Sequence, residues 1–281
     1  MAQDWTIQQL LSWTTRYFQD RGIAAARLEA EILLAYVLSQ DRVFLYTHFD
    51  APVNQDEREK FRAVIRRRVR REPLAYIIGQ REFMSLSFLV SPEVLIPRPE
   101  TELLVENAIS WCGDRDLCIC DMGTGSGAIA VSLAYYLPAG RFVAVDISST
   151  ALDIARRNAE RHGVNVEFYC SDLLNDLDHQ REFDLITANL PYIPQEEYLS
   201  LPEDVRGFEP RLALLAGGDG LDVYRRFLPQ AMERLKTGGC LMLEIGAKQG
   251  NAALNLTRGF GVSRLAADLA GRDRLLILRK E

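Results

Sequence analysis

The reading starts from Leu117-Cys118-Ile119-Cys120-Asp121-Met122-Gly123-Thr124-Gly125-Ser126-Gly127. It has the pattern of a short apolar strand closed by a carboxylate, followed by a turn with glycine at every second position. Ala128-Ile129-Ala130-Val131-Ser132-Leu133-Ala134 then has helical composition. A glycine turn lets a ligand lie against the main chain, and a helix start offers N–H groups without intrahelical partners. Dinucleotide sites are spaced G-x-G-x-x-G, whereas here Gly123, Gly125 and Gly127 alternate and Asp121 precedes them. A carboxylate at that point suits a cation better than a pyrophosphate, which favours S-adenosylmethionine with its ammonium and sulfonium groups. The same run is also compatible with a glycine-rich loop that binds nothing.

Outward from this stretch, strands alternate with helices. Arg141–Asp146 and residues 164–169 read as strands on either side of a helix over residues 151–161, and Phe183–Ala188 reads as a fourth strand. A helix over residues 221–235, a turn at Gly238-Gly239 and a fifth strand over residues 240–245 follow. This order predicts a doubly wound, mostly parallel sheet with its ligand beyond the carboxyl ends of the strands. Asp121, Asp146, Asp172 and Asn189 each stand at such an end and converge on one crevice.

The residue types at those ends suggest roles. Asp146, roughly 20 residues past the glycine turn, is placed to accept from both hydroxyls of a ribose; helix capping is the alternative, because Ser148, Ser149 and Thr150 follow it. Asp172 and Leu173 are expected to meet the adenine, with capping again the other possibility for Asp172. Asn189-Leu190-Pro191-Tyr192 is the catalytic candidate. An amide or aromatic amine nitrogen attacks a methyl sulfonium only when its lone pair is held in line. The Asn189 side-chain oxygen and the Leu190 carbonyl can each accept one N–H of a planar NH2 group, with Tyr192 flanking the plane. Catalysis of that kind rests on positioning and aimed dipoles, without a dedicated base. An ordinary strand-ending turn would carry the same residues.

The N-terminal part reads differently. Thr6 with Gln9 resembles a capping box opening a helix that carries Ile7, Leu10, Leu11 and Phe18. A second helix over residues 24–39 is expected to pack through Leu28, Ile32, Ala35 and Tyr36. Asn54 with Glu57 opens a third, which carries Phe61, Val64, Ile65 and Val69 and runs to Pro73. Arg62, Arg66, Arg67, Arg68, Arg70 and Arg71 form a basic run, either a solvated face or a site for an acidic or ribosomal partner. Residues 83–90 have strand composition and suggest a hairpin. The two prolines of Ile96-Pro97-Arg98-Pro99 then delay the next helix.

Composition narrows the classes. A chain of 281 residues, 48% hydrophobic, is long enough for two domains. Its net charge of -6 argues against coating a nucleic acid backbone. No export signal or membrane-length apolar run is visible, so a cytoplasmic location is expected. The five cysteines lack Cys-x-x-Cys spacing and read as reduced core residues with no metal site; His48, His162 and His179 read as surface residues.

At Pro73 to Gly79, Val94 to Glu102, Asp121 to Gly127, Asn189 to Ile193 and Phe208 to Leu214 the chain resembles the release factor glutamine methyltransferase family over nearly its whole length. The second and last of these segments are highly specific to it. The resemblance implies a Rossmann-like class I methyltransferase: a doubly wound, mostly parallel seven-stranded sheet over residues 99–281, a helical substrate-recognition domain over residues 1–72 and a linking β-hairpin over residues 73–98. It implies methyl transfer from S-adenosylmethionine to the Gln side chain of the Gly-Gly-Gln motif in class 1 peptide chain release factors. Gly123, Thr124, Gly125, Ser126 and Gly127 would hold the cofactor with Asp121, Asp146, Asp172, Leu173 and Asn189. Asn189, Leu190, Pro191 and Tyr192 would hold the Gln, with Asn189, Pro191 and Tyr192 catalytic. No stable nucleic acid or membrane binding is expected, and a monomer is the default. The family's usual tetrapeptide is Asn-Pro-Pro-Tyr, so Leu190 departs from it and removes one backbone constraint. Asn-Leu-Pro-Tyr also resembles the tetrapeptide of ribosomal RNA adenine dimethyltransferases, which leaves an adenine-amine methyltransferase as the rival reading. A cofactor-binding module without turnover is another.

Overall fold

The structure is a computed structural model and describes residues 5–281. In chain order its elements are α1 (Ile7–Gln19), α2 (Ala26–Leu38), α3 (Arg42–Thr47), α4 (Gln55–Val69), α5 (Leu74–Ile78), β1 (Gln80–Phe83), β2 (Leu86–Leu89), α6 (Glu102–Cys112), β3 (Cys118–Met122), α7 (Ala128–Tyr136), β4 (Arg141–Asp146), α8 (Ser149–His162), β5 (Glu167–Cys170), β6 (Phe183–Ala188), α9 (Glu203–Phe208), α10 (Asp222–Arg234), β7 (Leu235–Glu244), α11 (Gly250–Leu256), β8 (Val262–Ala267) and β9 (Asp273–Arg279). They fall into two compact units: the chain up to Gly79 joined by α9, and Gln80–Pro202 with Glu209–Glu281.

The first unit is helical. Both capping boxes form, Gln9 N donating to Thr6 Oγ1 at 3.3 Å and Glu57 N to Asn54 Oδ1 at 2.9 Å, each with its reciprocal bond. Ile7, Leu10, Leu11 and Phe18 are buried as expected. The expected face of α2 packs only in part, with Ala35 buried. Leu28 and Tyr36 are exposed, while Ala30, Glu31, Leu33 and Leu34 are buried because α2 meets α1 and α4 at once. Glu31 is tolerated inside by accepting from Arg27 at 2.6 Å, Arg42 at 2.7 Å and Tyr46 at 2.5 Å. α4 stops at Val69, short of Pro73, because Arg71 takes φ +68°; Pro73 instead precedes α5. Three arginines of the basic run are structural: Arg67 pairs with Glu72, buried Arg68 with Glu29 at 2.5 Å, and Arg71 donates to the Arg21 carbonyl at 2.8 Å while facing Glu203 of α9 at 3.7 Å.

The second unit holds a seven-stranded sheet in the order β5-β4-β3-β6-β7-β9-β8, antiparallel only where β9 meets β7 and β8. Alternate residues of β3 feed two cores. Cys118, Cys120 and Met122 pack with Tyr224, Phe227 and Leu228 of α10, and Ile119 packs with Leu104 of α6 and Leu133 of α7. β5 starts at Glu167, three residues later than expected. β7 starts at Leu235, because Gly238 and Gly239 lie within the strand beside a register shift rather than in a turn before it.

The hairpin of β1 and β2 turns at Met84-Ser85, both at positive φ, and belongs with the sheet. One buried side chain ties it to the glycine turn. Asn158 of α8 donates to the Leu89 and Ser126 carbonyls at 3.0 and 2.8 Å and accepts from Leu89 N at 2.7 Å. Asn158→Ala would strand these backbone groups, and unfolding in urea should show a loss on the order of 2–4 kcal/mol; an unchanged midpoint would contradict this account.

Candidate functional site

A cavity of about 250 Å³ opens at the carboxyl ends of β3, β4 and β6. It lies where the chain, having laid β4 and β5 to one side of β3, starts the other side with β6, the usual place for a ligand in such sheets. The glycine turn forms one wall. A Cβ on Gly127 would lie 3.0 Å from Ala155 Cβ, so the residue also lets α7 start close against α8. A Cβ on Gly123 would lie 2.9 Å from Leu190 Cδ2, in a backbone with φ +70°. Leu190 is buried, and its carbonyl oxygen lies 3.4 Å from Tyr224 Oη. Where the related tetrapeptide has proline, this chain therefore anchors the loop by packing.

Among the expected site residues, Gly123, Thr124, Gly125, Ser126, Asp146, Asp172, Leu173, Asn189, Leu190 and Pro191 line the cavity. Gly127 supports it from behind. Asp121 is fully buried at the end of β3, where Oδ1 accepts from Thr187 at 2.9 Å and Oδ2 has no partner. Burial pushes its carboxyl up to about 7, with the Thr124 and Thr187 hydroxyls opposing that shift. The Thr124 hydroxyl is buried beside this carboxyl without closing a well-formed hydrogen bond to it. A buried carboxyl this weakly matched at the end of β3 fits a cationic ligand, as S-adenosylmethionine is.

Asp146 accepts from Gly125 N at 2.8 Å and Ser148 N at 2.9 Å, so it ties the glycine turn to the end of β4. Its burial raises the carboxyl above the usual range. The cap of α8 is Ser148, which accepts from Ala151 N; the capping alternative for Asp146 therefore does not hold. Asp172 faces the cavity but shares an ion pair with Arg226 at 2.6 Å, which leaves one of its oxygens for a ligand.

Asn189 donates through Nδ2 to Thr101 Oγ1 at 3.1 Å. That bond orients the amide, and among the described residues none donates to its Oδ1. Tyr192 stands behind the loop rather than among the cavity-lining residues, its hydroxyl donating to Glu244 Oε1 at 3.3 Å and its carbonyl accepting from Gln249 at 3.0 Å. Burial raises the Tyr192 hydroxyl well above its ordinary range, so it stays a donor.

Two polar devices escaped sequence reasoning. Arg98 donates to Glu209 Oε1 at 2.5 Å and to the Ile96 carbonyl at 2.9 Å, and Ile96 N donates to Glu209 Oε2 at 3.2 Å, joining the proline segment to the segment after α9. Both segments line the cavity. The other device is Thr101, which lines the cavity and accepts from Asn189, together with Glu244, buried behind Tyr192. A glutamate ending an otherwise apolar run was the available signal for Glu244. Among the described residues no cluster of three or more potential ligands could hold a metal ion.

The comparisons with known proteins agree in direction. Residues 9–79 match the PrmC N-terminal domain family and residues 119–206 a methyltransferase domain family. A release factor glutamine methyltransferase of Geobacter sulfurreducens is 45% identical, the alignment covering 97% of this chain and 96% of that one. That of Moorella thermoacetica is 44% identical, over 98% and 99%. Among solved structures, a 16S ribosomal RNA methyltransferase from T. thermophilus in complex with AdoMet and guanosine superposes with a TM-score of 0.55 at 20% identity, over 72% of this chain and 50% of that one. At that identity the likeness concerns the fold.

The raised carboxyl of Asp121 sets a sign. Between its unfolded value near 3.8 and about 7 the native state holds a proton that the unfolded chain has lost, so this contribution to stability falls as pH rises through that window. In ligand-free protein, wild type should lose up to about 4 kcal/mol relative to Asp121→Asn between pH 4 and pH 8, read from urea midpoints. Parallel pH profiles for the two would contradict the assignment.

Proposed function

The chain belongs to the release factor glutamine methyltransferase family and is a methyltransferase, and from that premise we propose that it methylates the side-chain amide of the Gln in the Gly-Gly-Gln motif of class 1 peptide chain release factors, with S-adenosylmethionine as donor. The observation that carries the reading is the orientation of Asn189, whose Nδ2 is held by Thr101 while Oδ1 remains to accept a substrate N–H. When bound, the cofactor supplies an electrophilic methyl on a sulfonium. Asp121 offers its lone oxygen to the cation, and Asp146 offers its carboxylate to the ribose. Leu173 with the free oxygen of Asp172 suits the adenine.

The Gln amide is planar, and its nitrogen lone pair is delocalised. Asn189 Oδ1 accepts one N–H and the Leu190 carbonyl, through its second lone pair, accepts the other. Pro191 and Tyr192 restrain the loop that carries both acceptors. Held this way, the nitrogen presents its lone pair across the plane. The same two oxygens would stabilise positive charge as the N–CH3 bond forms and the S–CH3 bond breaks with its electron pair staying on sulfur, after which the nitrogen would lose one proton to solvent. The helical unit supplies further binding surface: a groove lined by Trp13, Tyr17, Arg62 and Arg66, two stacked aromatics beside two guanidinium groups, suits an acidic stretch of the release factor.

Purified protein should transfer labelled methyl from S-adenosylmethionine to a release factor and none to its Gly-Gly-Ala version; equal labelling of both, or preferential labelling of RNA, would overturn the proposal. Asn189→Ala should lower kcat by about a hundredfold or more with the fold intact. Asp146→Ala should chiefly raise the cofactor Kd, and an unchanged Kd would remove Asp146 from the cofactor site.

A further inference from the structure

The loop between β5 and β6 brings Asp172 and Leu173 to the cavity. Leu173 is buried and takes φ +57°, and among the described residues it is the one non-glycine residue of the cavity wall at positive φ. That backbone crowds a leucine Cβ against a carbonyl oxygen, so it persists only where the neighbouring residues are held. One helix face holds them. Arg226, Gln230 and Arg234 of α10 stand at i, i+4 and i+8, and each grips the loop.

The grips fall on both sides of Leu173. Arg226 pairs with Asp172 Oδ2 at 2.6 Å. Gln230 Oε1 accepts from Leu174 N at 3.0 Å, while its Nε2 donates back to the Arg226 carbonyl at 3.3 Å and so keeps the amide oxygen toward the loop. Buried Arg234 donates to the Leu177 carbonyl at 3.2 Å and to that of Asp178. The loop also closes on itself, Asn175 Nδ2 donating to the Asp172 carbonyl at 2.8 Å and Asp176 N to Ser171 Oγ at 3.1 Å. Anchoring alone would be met as well by a relaxed backbone. What this arrangement adds is a constrained residue at the ligand wall, where such constraint preorganises binding. Resting on the reading of Asp172 and Leu173 as the adenine side of the cofactor site, we propose that Gln230 and Arg234 are positioning residues that, with Arg226, keep Leu173 in its left-handed backbone and so form the adenine wall before the cofactor arrives.

The consequence is selective. Without the Gln230 acceptor, Leu174 N is released and Leu173 relaxes into an ordinary backbone. A ligand must then rebuild the wall as it binds, and its affinity falls by the cost of that reordering, about tenfold for one residue returned to the left-handed region. The substrate loop follows β6, a different strand, and its Asn189 is held by Thr101 rather than by α10. Cofactor already bound therefore meets an unaltered transfer geometry.

The test measures binding of S-adenosylhomocysteine and of adenosine to the full chain by calorimetry, which needs no methyl acceptor. Gln230→Ala should raise both dissociation constants by about tenfold, while kcat at saturating S-adenosylmethionine, with a release factor as acceptor, stays within about twofold of wild type. Gln230→Glu keeps an acceptor for Leu174 N and should recover most of the affinity. Leu173→Gly/Gln230→Ala should bind no more weakly than Leu173→Gly alone, since glycine takes that backbone without the grip. Wild-type affinity in Gln230→Ala, a loss for S-adenosylhomocysteine but not for adenosine, a comparable fall in kcat, or additive losses in the double variant would overturn the proposal. Leu173→Ala separates it from the reading beneath it. Weaker binding in Leu173→Ala with unchanged binding in Gln230→Ala removes the grip alone, whereas wild-type affinity in Leu173→Ala removes the adenine side and the proposal with it. Arg234→Met repeats the measurement at the second grip, and Gln230→Ala carries the test if that variant does not fold.

Discussion

The site depends on the register between β3 and β6. Asp121 lies opposite Thr187 and Met122 opposite Ala188, so Gly123 and Asn189 leave the sheet side by side. The bond from Thr187 to Asp121 holds that register across the crossing point of the sheet. A slip of one residue would turn Asp121 to the opposite face of β3 and move Asn189 along the edge. Gly123 and Leu190 then lock the two exits together, since no side chain fits at 123 while Leu190 occupies the space. The glycine turn and the Asn189 loop are thus one mechanical unit.

Around that pairing the protein keeps three carboxyls with raised titration points: Asp121, Asp146 and Glu244. Their cause is the same, burial at the strand ends, but their partners differ. Asp146 is satisfied by backbone N–H groups, while Asp121 and Glu244 each keep one buried oxygen without a hydrogen-bond partner. Such sites trade stability for chemistry, as the unmatched oxygens are tolerable only because the surrounding strands are rigid.

Much of this was legible in the sequence, for identifiable reasons. β4 and β6 have the limits expected because each is an apolar run bounded by a charge or a turn residue, and the carboxylates at strand ends mark the crevice by themselves. The residue pattern located five strands, and only the family resemblance implied seven. β8 was not placed because it alternates polar and half-buried residues without a strong apolar signal, whereas β9 went unplaced although its apolar run Leu275-Leu276-Ile277-Leu278 was legible. The short helices α3 and α5 are too brief for helical periodicity to register. In α2 the stripe was misjudged because a buried Glu31 and small alanines, which only the tertiary arrangement rationalises, take the inward positions. The place of Asn189 and Leu190 at the cavity could be read from the sequence, because they follow an apolar strand directly. The supports at Thr101, Glu209 and Glu244 could not, because they act across separations of 88, 111 and 52 residues that no local pattern encodes.

The assignment of α9 to the helical unit bears on how the protein is made. Six residues cut from the interval between β6 and α10 complete a unit whose other helices all precede Gly79. During vectorial synthesis that unit cannot acquire its final helix, or the Arg71–Glu203 pairing, until the ribosome has delivered most of the sheet's parallel strands. The nascent N-terminal helices therefore wait for a downstream segment, and maturation of the two parts is interleaved rather than sequential.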